Sequence, residues 1–223
     1  MPSITVTTPA PDRSLATLEA VKFELGISST ESDTLLSGWI VSASDLIAAA
    51  CRLAGDDNGD APSTFREEEA VVTFTSHEIP WATNGGRTGL ILPWRYPARV
   101  AAVTLCGVAA EPESYRAEPK GAMLHRLGRP GGPSVPWERA AVSVTVRSGW
   151  PLAGVPTVLQ EAVKRLVRLR WEARDRDLAV KAEEVDGAWR QEFWVGGLGE
   201  GGSALPDDVL SSLWDAGLVA GVR

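Results

Sequence analysis

The sequence predicts an α+β protein: a helical core bundle with an inserted antiparallel β-sandwich or barrel-like module and a flexible C-terminal arm ending in a short helix. Three observations lead there. Apolar residues recur at helical spacing in two separated stretches, within residues 17–53 and 156–175. Between them the pattern changes to short β-rich runs punctuated by Pro, Gly and Asn. Near the C-terminus a glycine-rich run isolates a last short amphipathic stretch.

After a polar start up to Ser14, the residues Leu18, Val21, Phe23 and Leu25 mark a short helix. Thr17 is its expected N-cap and Gly26 closes it, because glycine adopts the left-handed conformation that ends helices. A longer helix is expected from Asp33 to Leu53, with Leu36, Trp39, Ile40, Ala43, Leu46, Ile47 and Ala50 in helical register. The polar run from Gly55 to Gly59 stops it. Strands are expected at Ala70–Thr75, Gly89–Leu92, Val100–Val108, Met123–Leu127 and Ala141–Arg147. In the last of these, Ala141 to Val146 alternates as a half-buried antiparallel strand should. Helix returns at Pro156, which suits a first-turn position, and its apolar face includes Val158, Ala162, Leu166 and Leu169. Its end is expected between Asp175 and Val180. Gly196 to Gly202 reads as a flexible linker, and Pro206 opens a final helix carrying Val209, Leu210, Leu213 and Trp214 on one side. The domain division that follows is a helical part over residues 1–62, a β-rich module over 63–150, a second helical part over 151–195, and a linker with arm over 196–223.

Composition narrows the function. Among 223 residues, 44% are hydrophobic and 23% charged, which is ordinary for a soluble globular protein with a real core. A net charge of −7 argues against a general nucleic-acid binder, since phosphate contacts need surplus Lys and Arg. It does not prevent a surface from letting DNA slide past. Cys51 and Cys106 are far apart in apolar patterns and read as buried free thiols of a reducing cytoplasm. No secretory signal is visible, and the most apolar stretch, Trp39 to Leu53, is short for a membrane span and carries Asp45 and Arg52.

Catalytic chemistry has little to build on. His77 and His125 both fall in or beside strand-like runs and read as surface or packing residues. No nucleophile elbow is present. Asp56, Asn58, Asp60 and Glu67 match EF-hand ligand positions, but Ala61 stands where that loop needs glycine, so the segment reads as a polar turn. Gly197, Gly199 and Gly202 match a dinucleotide fingerprint by letter only, without a βαβ unit around them. No catalytic residue, cofactor or metal is therefore expected. Two features are more suggestive of partners. The helix after Pro156 carries Arg165, Arg168, Arg170 and Arg174, candidates for an intersubunit or partner contact, against the plain reading of a solvated face. Nine tryptophans are many for this length, and Trp81, Trp94, Trp137 and Trp150 lie in turns of the β region. Packed, they cover strand ends or an interface; exposed, they would suit a carbohydrate-binding module.

Several segments, taken in order, resemble the head–tail connector (adaptor) family of tailed bacteriophages and gene transfer agents. These are Thr17 to Ile27 with Asp33-Thr34-Leu35-Leu36 and Ile40 to Ser44; Leu90 to Pro93 with Tyr96-Pro97 and Val100 to Val103; Val144 to Trp150 with Val155-Pro156, Leu159 and Ala162; and Leu205-Pro206 with Val209 and Leu213. The matches span most of the chain. Two departures are the continuation past Trp214 into Gly217 to Ala220 and the long Pro-rich turns of the β region.

The resemblance implies a structural virion protein rather than an enzyme. It would form a ring, typically dodecameric, beneath the portal protein of the neck, extend the DNA channel, and offer a platform to a stopper or tail-completion protein. Synthesis would be in the bacterial host cytoplasm, with no membrane partner and no sequence-specific DNA binding. The C-terminal segment of such proteins docks into the portal, which here assigns Leu210, Leu213, Trp214 and Leu218. A glycine linker followed by a helix too short to be stable alone fits an arm that orders on a partner. The alternatives are another neck or tail-completion protein, and a tryptophan-rich carbohydrate-binding module of a tail.

Overall fold

The computed structural model describes residues 2–79, 89–93, 95–118, 123–138, 140–174, 182–185, 189–192 and 205–220. In chain order the elements are β1 (Ser3–Thr8), α1 (Leu18–Leu25), α2 (Asp33–Ala50), β2 (Glu68–Phe74), β3 (Gly89–Ile91), β4 (Ala98–Leu105), β5 (Val108–Ala109), β6 (Tyr115–Ala117), β7 (Met123–Leu127), β8 (Ser134–Val135), β9 (Val142–Ser148), α3 (Thr157–Ala173), β10 (Ala182–Val185), β11 (Trp189–Glu192) and α4 (Asp207–Asp215). The fold is α+β, with helices and antiparallel sheets. Two compact units divide the chain: residues 1–12 with 53–153, and residues 13–52 with 154–223. The dividing points lie at 12/13, 52/53 and 153/154.

The first unit is built on a five-stranded sheet ordered β1-β2-β9-β4-β5 and a second sheet ordered β3-β7-β6, with β8 paired to β7. Both sheets are open, so the barrel-like option is not realised among the described residues. Alternation decides which face is buried. Along β2 it is Ala70, Val72 and Phe74, and along β9 Val142, Val144 and Val146, with Val72 opposite Val144 in antiparallel register. Leu90, Leu92, Leu124 and Trp137 from the region of the second sheet join the same core cluster. The strand ends are locked by a close crossing at Gly149, whose φ is +85°. A Cβ there would lie 2.1 Å from the Arg66 carbonyl oxygen, so only glycine permits the flanking bonds from Trp150 N–H to Phe65 O and from Glu67 N–H to Trp150 O.

β1 was not anticipated from the polar N-terminal sequence. It pairs antiparallel to β2, and its outer edge is covered by the Asp56-Asp57 turn. Asp57 Oδ2 accepts from Ile4 N–H at 2.6 Å, and Asp56 Oδ1 accepts from Val6 N–H at 2.8 Å. Side-chain oxygens thus occupy an edge that would otherwise template another strand. Beneath this turn Arg95 and Glu68 form a buried ion pair, 5% and 4% exposed. Arg95 Nη1 also donates to Ala54 O at 2.5 Å, and Arg95 Nε to Ser148 Oγ at 3.4 Å.

The second unit centres on α3, which packs against α1, α2 and α4. Its buried face is Leu159, Ala162, Val163, Leu166 and Val167. Thr17 caps α1 as expected, its Oγ1 accepting from Ala20 N–H at 3.1 Å, and Gly26 closes the helix at φ +68°. α2 buries Leu36, Ile40, Ala43, Ser44, Ile47 and Ala48. Ser44 is satisfied there, accepting from Leu15 N–H at 3.0 Å and donating to Ile40 O at 2.8 Å. β10 and β11 form a separate antiparallel pair that the sequence reading did not include.

Candidate partner-binding surfaces

The C-terminal segment is a folded part of the second unit. Leu205, Val209, Leu213, Leu218 and Val219 are all buried, and α4 lies against α3. Gly217, at φ +67°, turns the chain after α4, with Leu218 N–H donating to Leu213 O at 3.0 Å. The Ala220 N–H then reaches Cys51 O, just past the end of α2, at 3.0 Å. Of the four residues expected to dock, Leu213 (0% exposed) and Leu218 (3%) face the chain's own interior. Leu210 is half-buried and Trp214 is 50% exposed, so these two are the outward part of the set. The expectation of an unattached arm is corrected for residues 205–220: burial of five apolar side chains holds the short helix in place. The glycine linker itself lies outside the described residues.

The four arginines of α3 divide into two pairs. Arg165 Nε lies 3.4 Å from Asp208 Oδ2, and Arg168 lies 2.8 Å from Glu172 and 3.4 Å from Glu24. Arg170 and Arg174 each lie over an aromatic face. The Arg170 guanidinium carbon sits 4.9 Å from the centre of the Trp39 ring, and that of Arg174 sits 3.7 Å from Trp171. The two indoles meet edge-on, with centroids 6.3 Å apart. The result is a ladder of Arg170, Trp39, Trp171 and Arg174 joining α2 to the last turn of α3. Sequence spacing placed Trp39 in the apolar set of α2 but carried no sign of its partner 132 positions on, since nothing local links Trp39 to Trp171.

The other flagged residues are structural in placement. Trp137 is buried, and its Nε1–H donates to Leu124 O at 3.3 Å. Trp150 is half-buried between Phe65 and Tyr96, with centroids at 5.9 and 5.7 Å. Trp137 therefore offers no open ring face to stack on a sugar; Trp81 and Trp94 lie outside the described residues. His125 Nε2 is 3.1 Å from Glu118 Oε1, and His77 is exposed in a turn. Asp56 and Asp57 are engaged with β1, and the described residues contain no group of three or more metal-ligating side chains. Gly197, Gly199 and Gly202 lie outside the described residues. Burial pushes the Cys51 thiol up to about 12. Cys106 corrects the expectation of two buried thiols: it is exposed in the β4–β5 turn at φ +48°. Among the described residues no helix is long and apolar enough to cross a membrane.

No protein-family model and no curated protein matches the chain. Solved structures do match. A chain in the virion of a native gene transfer agent particle aligns with a TM-score of 0.55 at 16% identity, covering 99% of this chain and 97% of that one. A chain in the neck of an empty particle of this kind, computed with C6 symmetry, gives 0.51 at 18% identity, covering 83% and 88%. One in the neck of the native particle, computed with C12 symmetry, gives 0.50 at 17% identity, covering 82% and 88%. At these identities the likeness establishes a shared fold.

Proposed function

We propose that this protein is a non-enzymatic structural component of the neck of a phage-like particle, and within the neck the head–tail adaptor. Copies would form a ring beneath the portal, extend the DNA channel and support a stopper or tail-completion protein. The observation that carries the reading is the match, over 99% of this chain, to a chain of a gene transfer agent virion. Two further neighbours come from necks computed with C6 and C12 symmetry, which suits a ring and is compatible with a dodecamer. The net charge of −7 is compatible with a conduit that must not hold its DNA.

Portal docking falls most naturally on the outward side of α4, at Leu210 and Trp214, because Leu213 and Leu218 are already packed within the chain. The test is mass photometry of the full chain mixed with the portal ring of the same particle. A saturable mass increase close to one copy per portal subunit is expected, and it should be lost when Leu210 and Trp214 are both replaced by Ser. Absence of binding across pH and salt would refute the adaptor role. Binding to an isolated tail-completion protein instead would move the chain to a neighbouring place in the neck.

A further inference from the structure

The five-stranded sheet of the first unit finishes its two edges differently. On the β1 side, Asp56 and Asp57 accept from Val6 N–H and Ile4 N–H, and Asp57 N–H donates to Ile4 O at 3.0 Å. That edge is closed by the chain itself. On the opposite side β5 pairs only with the end of β4, at Thr104 and Leu105, and one further bond runs from Ala110 N–H to Val103 O at 2.8 Å. Residues 98–102 have β9 as their one neighbouring strand among the described residues. Arg99, Ala101 and Ala102 are exposed there.

The sequence does little to blunt this edge. From Ala98 to Ala110 the only charged side chain is Arg99, whereas exposed edges are usually protected by several charges or by proline. A register shift between Val100 and Ala102 bends the strand, so a short added strand fits better than a long one. Arg99 stands directly opposite Arg147 of β9, and Arg147 stands opposite Glu69 of β2, whose carboxylate it meets at 3.0 Å. The row across the sheet therefore reads Glu69, Arg147, Arg99, with one acid for two cations. Like charges directly opposite on neighbouring strands repel. Among the described residues no carboxylate pairs with Arg99. An acid on the far side of Arg99, where an added strand would lie, completes the row.

The second unit holds a strand with matching properties. β10 pairs antiparallel with β11, and neither has another strand neighbour among the described residues. A lone two-stranded ribbon is marginal in water and gains from a third strand. β10 is four residues long, Ala182-Glu183-Glu184-Val185, a close match in length to the open stretch 98–102 of β4. Side chains alternate along a strand, so in either register one of the two consecutive glutamates would fall on the face that carries Arg99 and Arg147.

We propose that β10 of one copy adds to the open edge of β4 in a second copy, extending the five-stranded sheet and bringing Glu183 or Glu184 beside Arg99. Main-chain hydrogen bonds supply the affinity of such a contact, and the charged row selects the occupant. A second β4 on the same edge would bring another Arg99 to a row already short of acid. The contact joins two different surfaces, so repeated around an axis it generates a ring where the rotation closes. It deepens the ring reading above, on which it rests for the neighbouring copy, and its test is independent of portal binding.

The test uses the full chain without portal. Sedimentation over a concentration series is expected to show reversible self-association. Hydrogen exchange, read by mass spectrometry on dilute and on associated samples, should slow about tenfold or more in 98–102 and 182–185 on association, with β2 unchanged. Arg99→Glu should weaken association about fivefold or more while keeping the melting temperature, and so should Glu183→Lys combined with Glu184→Lys. The triple variant restores opposite signs across the contact and should return association to within about threefold of the wild type, a recovery that misfolded variants would not show. A wild type that stays monomeric at every concentration would overturn the proposal. So would association without slowed exchange in 98–102, or a triple variant that fails to recover. Protection of both segments already in the monomer would place β10 on its own copy and overturn it as well. Self-association intact without portal binding would refute the adaptor role and leave this contact standing.

Discussion

Leu213 is the residue on which the attachment of α4 turns. It is 0% exposed, and α4 is only nine residues long, too short to persist without packing. Replacing it with Ala removes buried carbons from a well-packed site, and such changes cost about 2–5 kcal/mol. The low end corresponds to about a thirtyfold change in the equilibrium between attached and detached α4. Because α3 is the helix against which α4 lies, the loss should be local: the segment opens while the rest of the fold holds. Hydrogen exchange followed by mass spectrometry reads this directly. Amides of α4, and the Leu218 N–H bonded to Leu213 O, should exchange about thirtyfold faster or more, while those of β2 and β9 keep their protection. Unchanged protection in 207–218 would refute the claim that Leu213 anchors the segment. Equal acceleration in β2 and β9 would refute its local character.

Two other perturbations test the first unit and the buried thiol. Glu68→Ala leaves the Arg95 guanidinium buried without its carboxylate and should destabilise by about 3–5 kcal/mol in urea unfolding, whereas Glu68→Leu with Arg95→Met should come much closer to neutral. The Cys51 thiol, pushed up to about 12 by burial, keeps its proton where an unfolded thiol has lost it. The folded state then binds more protons than the unfolded one, so Cys51 stabilises below about 9 and that stability is lost as pH rises towards 12. Comparison of the wild type with Cys51→Ala across that range should show a steeper alkaline decline for the wild type. At pH 8 a thiol reagent should label Cys106 quickly and Cys51 only on unfolding.

The parts of the fold that were legible in the sequence are those with local causes. Thr17 and Gly26 mark both ends of α1 because capping is a property of single residues. The alternation from Val142 to Val146 fixes the buried face of β9, because a strand turns over every residue. β1 was missed because Ser3 to Thr8 has few apolar residues, and its outer edge is completed by Asp56 and Asp57, fifty positions away. Phe23 shows the limit of counting apolar residues. Val21 is buried and Phe23 is 90% exposed, two positions apart on a helix, where neighbours at that spacing face different ways. The Arg95–Glu68 pair and the Trp39–Trp171 contact were likewise invisible, since each joins segments that meet only after folding. For the candidate surfaces, the sequence located the basic helix but not which of its arginines lie over indole rings and which meet carboxylates of other helices. That division depends on Glu24 and Asp208, which reach α3 from α1 and α4.

Leu35 and Leu46 of α2 test whether an exposed apolar residue contributes to the fold. If Leu35 and Leu46 served the chain's own core, exchanging them for charged residues would cost the transfer of buried carbon, about 1.5–3 kcal/mol each. Both are more than 40% exposed, and surface substitutions away from packed features usually stay within about 0.5 kcal/mol. Leu35→Glu with Leu46→Lys should therefore leave urea unfolding almost unchanged, within about 1 kcal/mol for the pair. A loss above about 3 kcal/mol for the pair would show instead that both side chains are packed within the chain, because burying such a side chain is worth about 1.5–3 kcal/mol.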